Sequence, residues 1–290
     1  MSKRIAVCIA SRGNPRLLFE TLHSVLRQCA LPETKAIVGL DEDDPTLADA
    51  LILIEALGNE RIILSIAARE DSIGAVYNRC AAACDADLYI NGADDFKIIT
   101  PRWDGLLVQA ANIFPDGIGM LGFGQMPWQS ILPGCAATTR GLIEKMGYFV
   151  QDFTPYWWMD LWLYEIATMI GRNYHVPIDV EMVGPMRTRG LRDFAYWVTF
   201  VHTMRAHRRA IAESILSSPD FLVSAERRQE LLQSLDEVCA WLGSGFALAI
   251  DPANVARVEM GAYDAPEDDR YRRIKDRSAA VLQDLKRSRA

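Results

Sequence analysis

No stretch of this chain is apolar for long enough to cross a bilayer. Its hydrophobic runs are short and interrupted, whereas a spanning helix needs about 20 apolar residues. The N-terminus shows no basic, apolar and small-residue succession of a secretory signal, so the cytoplasm is the expected compartment. Paired metal-binding cysteines are missing as well. Of six scattered cysteines, Cys80 and Cys84 lie one helical turn apart, but no second Cys or His pair accompanies them. They read as reduced core residues and not as a zinc site. Excess positive charge is absent, and a formal net charge of −7 argues against a generic polyanion binder. The first strand–helix loop has neither G-x-G-x-x-G nor G-x-x-x-x-G-K-[ST], which disfavours a dinucleotide-binding domain and a P-loop NTPase. It also lacks the Gly-rich loop with downstream Arg and Lys by which nucleotidyltransferases hold a triphosphate. Repeats and low-complexity tracts do not occur.

What is present is an alternation of strand and helix patterns. Arg4 to Ala10 is an apolar run suited to a central strand, and Asn14-Pro15 reads as a cap and first helical residue. Leu18, Leu22, Val25, Leu26 and Cys29 then recur on one helical face. Lys35 to Leu40, Arg61 to Ala67 and Leu88 to Ile90 predict three more strands, separated by helices that start near Asp44-Pro45 and Ser72. This rhythm implies an α/β fold, a mostly parallel mixed sheet flanked by helices. Ile118 to Phe123 and Tyr174 to Val180 predict further strands, and Met159 to Ile170 a helix. From about Asp193 the pattern is mainly helical: Phe194 to Leu216, Ala225 to Leu242, Asp268 to Leu285. The expected division is a first domain over residues 1–190 and a helical C-terminal extension over 191–290.

The chemistry concentrates in Ala86 to Phe96, where a short buried strand is followed by Asp94 and Asp95. Adjacent carboxylates repel and resist burial, so they need water, a base or a cation. Two readings are open: a solvated acidic turn, or a seat for a hard divalent ion, Mg²⁺ or Mn²⁺. Ser11-Arg12, Asp41 to Asp44 and Asp71-Ser72 also follow predicted strands. In a parallel sheet those strand ends share one edge, where ligands bind.

Ile5 to Leu18 resembles the opening strand and loop of the nucleotide-sugar glycosyltransferases of the A-type fold, specifically the family-2-like group. Ser24-Val25-Leu26-Arg27-Gln28, Asp41 to Asp44, Ile73 to Cys80 and Ala93-Asp94-Asp95 match its later segments in order. Phe153 to Leu163, centred on Trp158-Met159-Asp160-Leu161-Trp162, resembles its acceptor-side motif. The resemblance covers Ile5 to Val183. There are two departures. The middle motif offers only Asp94 and Asp95, and Met159 stands where an acid is common, which leaves Asp160 alone as base.

The resemblance implies a hexosyl-type transfer from a nucleotide-diphosphate donor, a UDP-sugar being expected, to a hydroxyl acceptor: saccharide, lipid-linked, protein or nucleic acid. Asp95 and Asp94 would hold Mn²⁺ or Mg²⁺, with His175 as a third ligand or an ordinary half-buried histidine. Asp160 is the expected general base, or only a favourable first-turn residue of its helix. Ser11, Arg12, Asp41, Asp43, Asn78, Arg79, Asp94 and Arg187 are the expected donor-binding residues, with Arg12 reaching the nucleotide or only a neighbouring carboxylate, one of Asn78 and Arg79 open to a structural role, and Arg187 and Arg189 closing over the diphosphate or lying on the surface. Trp157 and Trp158 would stack on acceptor rings or belong to the core. Two other readings compete: a non-catalytic nucleotide-sugar-binding module, and an interaction protein for nucleic acid or membrane surfaces. The latter would use the basic C-terminal helices, Arg270 onward; that run and the basic region from Arg187 to Arg209 otherwise read as solvated helix faces.

Overall fold

Proline and glycine set the element boundaries. In the computed structural model, which describes residues 3–125, 133–155, 157–183, 193–247 and 269–287, Pro15 opens the first helix. Gly58 and Gly147 end two others in the left-handed region that a side chain disfavours. The elements run β1 (Ile5–Ala10), α1 (Pro15–Gln28), β2 (Lys35–Asp41), α2 (Leu47–Leu57), β3 (Ile62–Ala67), α3 (Ile73–Ala82) and β4 (Leu88–Gly92). Next come β5 (Phe96–Ile98), α4 (Trp103–Ala110), β6 (Met120–Gln125), β7 (Pro133–Thr139), α5 (Arg140–Met146) and α6 (Met159–Met169). The described chain is completed by β8 (Asn173–His175), β9 (Val180–Met182), α7 (Phe194–Thr203), α8 (Arg205–Ser217), α9 (Ala225–Ala247) and α10 (Asp269–Arg287).

The main sheet has the order β3-β2-β1-β4-β7-β6-β8. β1 pairs in parallel with β2 and β4, whereas β7 runs antiparallel to both β4 and β6. The chain therefore builds outward from β1 to β3 and returns to place β4 on the other side of β1. That reversal opens a crevice at the carboxyl ends of β1 and β4, where open α/β sheets take ligands. Because β7 is antiparallel, with Ile90 opposite Ala137, its opening residues lie beside the end of β4.

Two elements differ from expectation. The strand predicted over Tyr174–Val180 divides: β8 pairs with β6, while β9 pairs with β5 in a separate two-stranded sheet. Pro177 lies between them, without an N–H to carry a ladder onward. The helix predicted from Phe194 turns at Met204, whose ψ of −4° interrupts it.

The turn at Met204 aims Arg205 and Arg208 inward. Their guanidinium groups meet the Glu165 carboxylate of α6, at 2.9 Å from Arg205 Nη2 and 2.5 Å from Arg208 Nε. Glu165 and Arg208 are fully buried. These two arginines, expected on a basic surface, are interior. The pairing is physically required, since a charge out of water is tolerable only with a partner. Arg187, Arg189 and Arg192 lie outside the described residues. The basic C-terminal run is similarly engaged. On α10, Arg273 binds Asp71 at 2.6 Å, Arg277 binds Asp152 at 3.2 Å, and Lys275 binds Asp193. One buried cluster runs from Cys8 and Tyr77 through Trp162 to Trp197, Leu231 and Ile274, so α7–α10 share the core on that face of the sheet. Among the described residues, no helix is long and apolar enough to cross a membrane.

Glu165→Ala would strand two buried guanidinium groups and should cost about 3–5 kcal/mol of unfolding free energy. Arg209→Ala, which breaks pairs to partly exposed Glu213 and Asp236, should change it by less than about 1 kcal/mol. Denaturant titration of both variants measures the contrast.

Candidate active site

Four loops converge at the carboxyl edge of the parallel strands. After β1, Ser11 Oγ donates to Asp94 Oδ2 at 2.6 Å, and Asn14 Nδ2 approaches the same oxygen at 3.4 Å. These contacts cross-link the loops after β1 and β4. Asn14 precedes α1 as expected, but the helix has no side-chain cap bond from it. Arg12 Nη1 donates to Asp41 Oδ2 at 3.0 Å and to Asp43 Oδ1 at 2.6 Å, joining the loops after β1 and β2. Arg69, after β3, approaches Asp41 Oδ2 at 3.7 Å. Asp44 accepts from Gly13 N and Thr46 N at 2.9 and 2.8 Å. It therefore shapes the loop pair, two residues ahead of the cap position of α2.

Asp94 and Asp95 are both held above the ordinary carboxylate range. For Asp94 the main cause is desolvation; the bond from Ser11 offsets part of it and the charge of Asp95 adds to it. For Asp95 desolvation again dominates. Asp95 Oδ1 is buried with no hydrogen-bond partner among the described residues. Such an oxygen is costly to leave unmatched, and a hard cation would match it. The residues present thus fit a divalent ion of the kind that takes one or two carboxylates and completes its shell with phosphates and water.

Asp160 lies in the first turn of α6, after Trp158 in a left-handed conformation with φ of 67°. Its carboxyl is also pushed up by desolvation. Cys135, near the start of β7, connects it to the other acids. Burial drives the Cys135 thiol up to about 12, and the charges of Asp95 and then Asp160 push in the same direction. Asp95 and Asp160 therefore both lie within electrostatic reach of one buried sulfur. Beside Asp160, Trp157 and Trp158 are half-buried and pack on Phe194, with centroids 5.4 and 5.9 Å from its ring.

Ser11, Arg12, Asp41, Asp43, Asp94 and Asp95 thus gather along one edge, while Asp160 is related to them only through the Cys135 sulfur that it and Asp95 both act on. Asn78 and Arg79 do not join them. Asn78 is bonded to the backbone of Phe149 and Val150, and Arg79 to Ser65 and Glu70. His175 is exposed on β8, at the end of the sheet beyond β7 and β6. Among the described residues no group of three or more His, Cys, Asp or Glu could hold a metal. His175, expected as a third ligand or an ordinary half-buried histidine, is instead exposed on the sheet's end strand: a short apolar run does not distinguish an edge strand from a central one. Arg187 falls outside the described residues. Sequence reasoning missed Arg69 and Cys135. Arg69 had a usable signal, a cation immediately after a predicted parallel strand. Cys135 had none, because its role depends on an antiparallel strand inserted beside β4. A cavity of about 470 Å³ lined by Asn78, Tyr89, Arg140 and Tyr148 contains none of the gathered acids.

No family model and no curated sequence matches this chain. Solved structures do. A mannosyltransferase, PcManGT from Pyrobaculum calidifontis in complex with GDP-Man and Mn²⁺, aligns with a TM-score of 0.51 at 14% identity, covering 90% of this chain and 84% of that one. S. aureus TarS 1–349 in complex with UDP-GlcNAc aligns with a TM-score of 0.53 at 13% identity, covering 88% and 79%. The same TarS segment without that ligand gives 0.52 at 15%, covering 90% and 93%. At such identities the likeness concerns the fold: this chain has the A-type glycosyltransferase architecture, a mixed seven-stranded sheet flanked by helices.

The raised carboxylates make stability depend on pH in a definite direction. An acid whose folded value exceeds its unfolded value, near 3.9 for aspartate, favours folding below the unfolded value and loses that advantage as pH rises through the folded one. Asp95→Asn should therefore raise the Tm at pH 7 in metal-free buffer, and the gain should vanish below about pH 3. Thermal melts across pH test this; an equal gain at every pH would contradict it.

Proposed function

We propose that this chain is a metal-dependent, inverting glycosyltransferase that moves a sugar from a nucleotide-diphosphate donor, a UDP-sugar first among candidates, to a hydroxyl acceptor. The observation that carries the reading is the juxtaposition at the β1/β4 crevice. Two desolvated adjacent acids, one with an oxygen unpartnered among the described residues, are tied by Ser11 to the loop that carries Arg12 and its partner Asp41, and the charges of Asp95 and Asp160 both act on the buried Cys135 thiol. The neighbouring folds, solved with GDP-Man and Mn²⁺ or with UDP-GlcNAc, support a nucleotide-sugar as the donor class. Free cysteines throughout suit the reducing cytoplasm as its setting.

The division of labour follows from charge. Repulsion between unit charges 4 Å apart is about 4 kcal/mol at an effective dielectric of ~20, so a diphosphate cannot approach two bare carboxylates. Asp94 and Asp95 would hold a divalent ion that, when bound, neutralises charge on the leaving diphosphate. Ser11 orients Asp94 through its 2.6 Å bond. Arg12 and Asp41, already paired at 3.0 Å, present both a donor and an acceptor to the nucleoside. Asp160 accepts the proton of the attacking hydroxyl. Desolvation raises its basicity, and a base nearer the working pH transfers protons more effectively. Attack on the face opposite the diphosphate inverts the anomeric carbon. Trp157 and Trp158 offer half-buried ring faces on which an acceptor sugar could stack.

Titration with UDP, GDP and their sugars, with and without Mn²⁺, should raise the Tm of the wild type only when nucleotide and metal are both present. Saturation at 100-fold the Kd contributes about 2.7 kcal/mol. Asp95→Asn should abolish that response, whereas Asp160→Asn should retain it and lower transfer by about 10²–10⁴-fold. No stabilisation by any nucleotide would defeat the proposal. Binding with intact donor, unaffected by Asp160→Asn, would leave a non-catalytic binding module.

A further inference from the structure

Three consecutive residues of α3 each tie down a different part of the candidate site. Tyr77 donates from its hydroxyl to Gly92 O at 2.9 Å, at the end of β4 and two residues before Asp94. Arg79 binds Ser65 Oγ at 2.8 Å and Glu70 Oε1 at 3.3 Å, fixing the strand and loop that carry Arg69. Asn78 reaches in a third direction. Its Oδ1 accepts from Phe149 N at 3.0 Å and Val150 N at 3.1 Å, and its Nδ2 donates to Val150 O at 2.9 Å.

The segment that Asn78 grips is the approach to α6. It has no regular secondary structure, so its backbone groups need partners from elsewhere. From Val150 the chain continues up the same helix. A Cβ on Gly74 would stand 2.1 Å from Gln151 O, which measures how closely α3 and the segment touch. Ile73 N donates to Pro155 O at 3.1 Å. Trp157, Trp158 and Asp160 follow directly. The amide accepts two backbone N–H groups at its oxygen and donates to a carbonyl from its nitrogen at once. Aspartate keeps the acceptors but sets an anion against Val150 O, and alanine keeps nothing.

We propose that Asn78 is a positioning residue. It clamps residues 149–155 to α3 and so sets where Asp160 stands relative to Asp94 and Asp95, without touching donor or acceptor itself. This rests on Asp160 acting as the base. It also reverses what the sequence suggested for Asn78, a place against the nucleotide.

The test compares the full-length wild type, Asn78→Ala and Asn78→Asp by hydrogen–deuterium exchange, by the Tm shift with UDP and Mn²⁺, and by UDP release from UDP-GlcNAc or UDP-glucose. Asn78→Ala should speed amide exchange at least about tenfold from Phe149 through Asp160 and lower kcat about 100-fold, the cost of a misplacement near 1 Å. The donor KM and the UDP-dependent Tm shift should stay within about twofold. Asn78→Asp, which keeps two of the three bonds, should fall between wild type and Asn78→Ala; it also decides the matter if the alanine variant fails to fold. Faster exchange confined to Phe149 and Val150 would overturn the proposal. So would a lost UDP response with kcat retained, which would return Asn78 to the nucleotide. A wild type that neither binds UDP nor releases it defeats the transferase reading, and the exchange measurement still decides whether Asn78 orders the segment.

Discussion

Two neighbouring carboxylates held largely out of water are the constraint around which this molecule is arranged. Left alone, Asp94 and Asp95 would be neutral or solvated; desolvation raises both, and one buried oxygen has no partner among the described residues. A fold keeps such a feature only where surrounding contacts over-determine it. Ser11 and Asn14 from the β1 loop converge on Asp94, Tyr77 holds the strand end beneath it, and the parallel pairing of β1 with β4 fixes the crevice between them. On the proposed function, the stability lost at this point is what would make the pair responsive to a cation and an anionic ligand.

The second half of the chain supports the opposite wall. Asp160 heads α6, and the same helix carries Glu165 into a fully buried contact with Arg208. Arg208 also lies over the Trp162 ring at 4.5 Å, and Trp162 donates to the Tyr148 hydroxyl at 2.9 Å. Buried ion pairs seldom add much net stability compared with apolar packing, yet they penalise every arrangement that separates the partners. Here that penalty holds α6 to α8. On the outer side α10 lies across the edge through Arg273–Asp71 and Arg277–Asp152. Its basic residues are thereby matched to acids of the same protein, which leaves less of their charge to attract a nucleic acid or an anionic membrane.

Much of the architecture was legible because it follows from local rules. Apolar runs with turn residues between them identified β1 to β4, and Pro15, Gly58 and Gly147 marked helix ends through their own backbone chemistry. Ser11, Arg12, Asp41 and the Asp94–Asp95 pair could be placed together because parallel strands must end on one edge. Each of those inferences needed only the order of elements and the position of a residue just past a strand.

Other assignments depended on where a side chain points after packing, which local pattern does not encode. Asn78 and Arg79 stand one residue apart on one helix, and only the assembled fold directs one to Val150 and the other to Ser65. Arg205 and Arg208 read as surface charge until Glu165, some 40 residues earlier, is brought beneath them. His175 had the neighbours of a buried strand, but the strand became the sheet's last and the ring faced solvent. Placing Cys135 within electrostatic reach of both Asp95 and Asp160 required β7 to insert antiparallel beside β4. Composition and spacing thus determined the element types and the sheet edge on which the polar strand-end loops meet, because those are properties of contiguous backbone. Which side chains become partners was decided by tertiary structure alone, because long-range burial selects them.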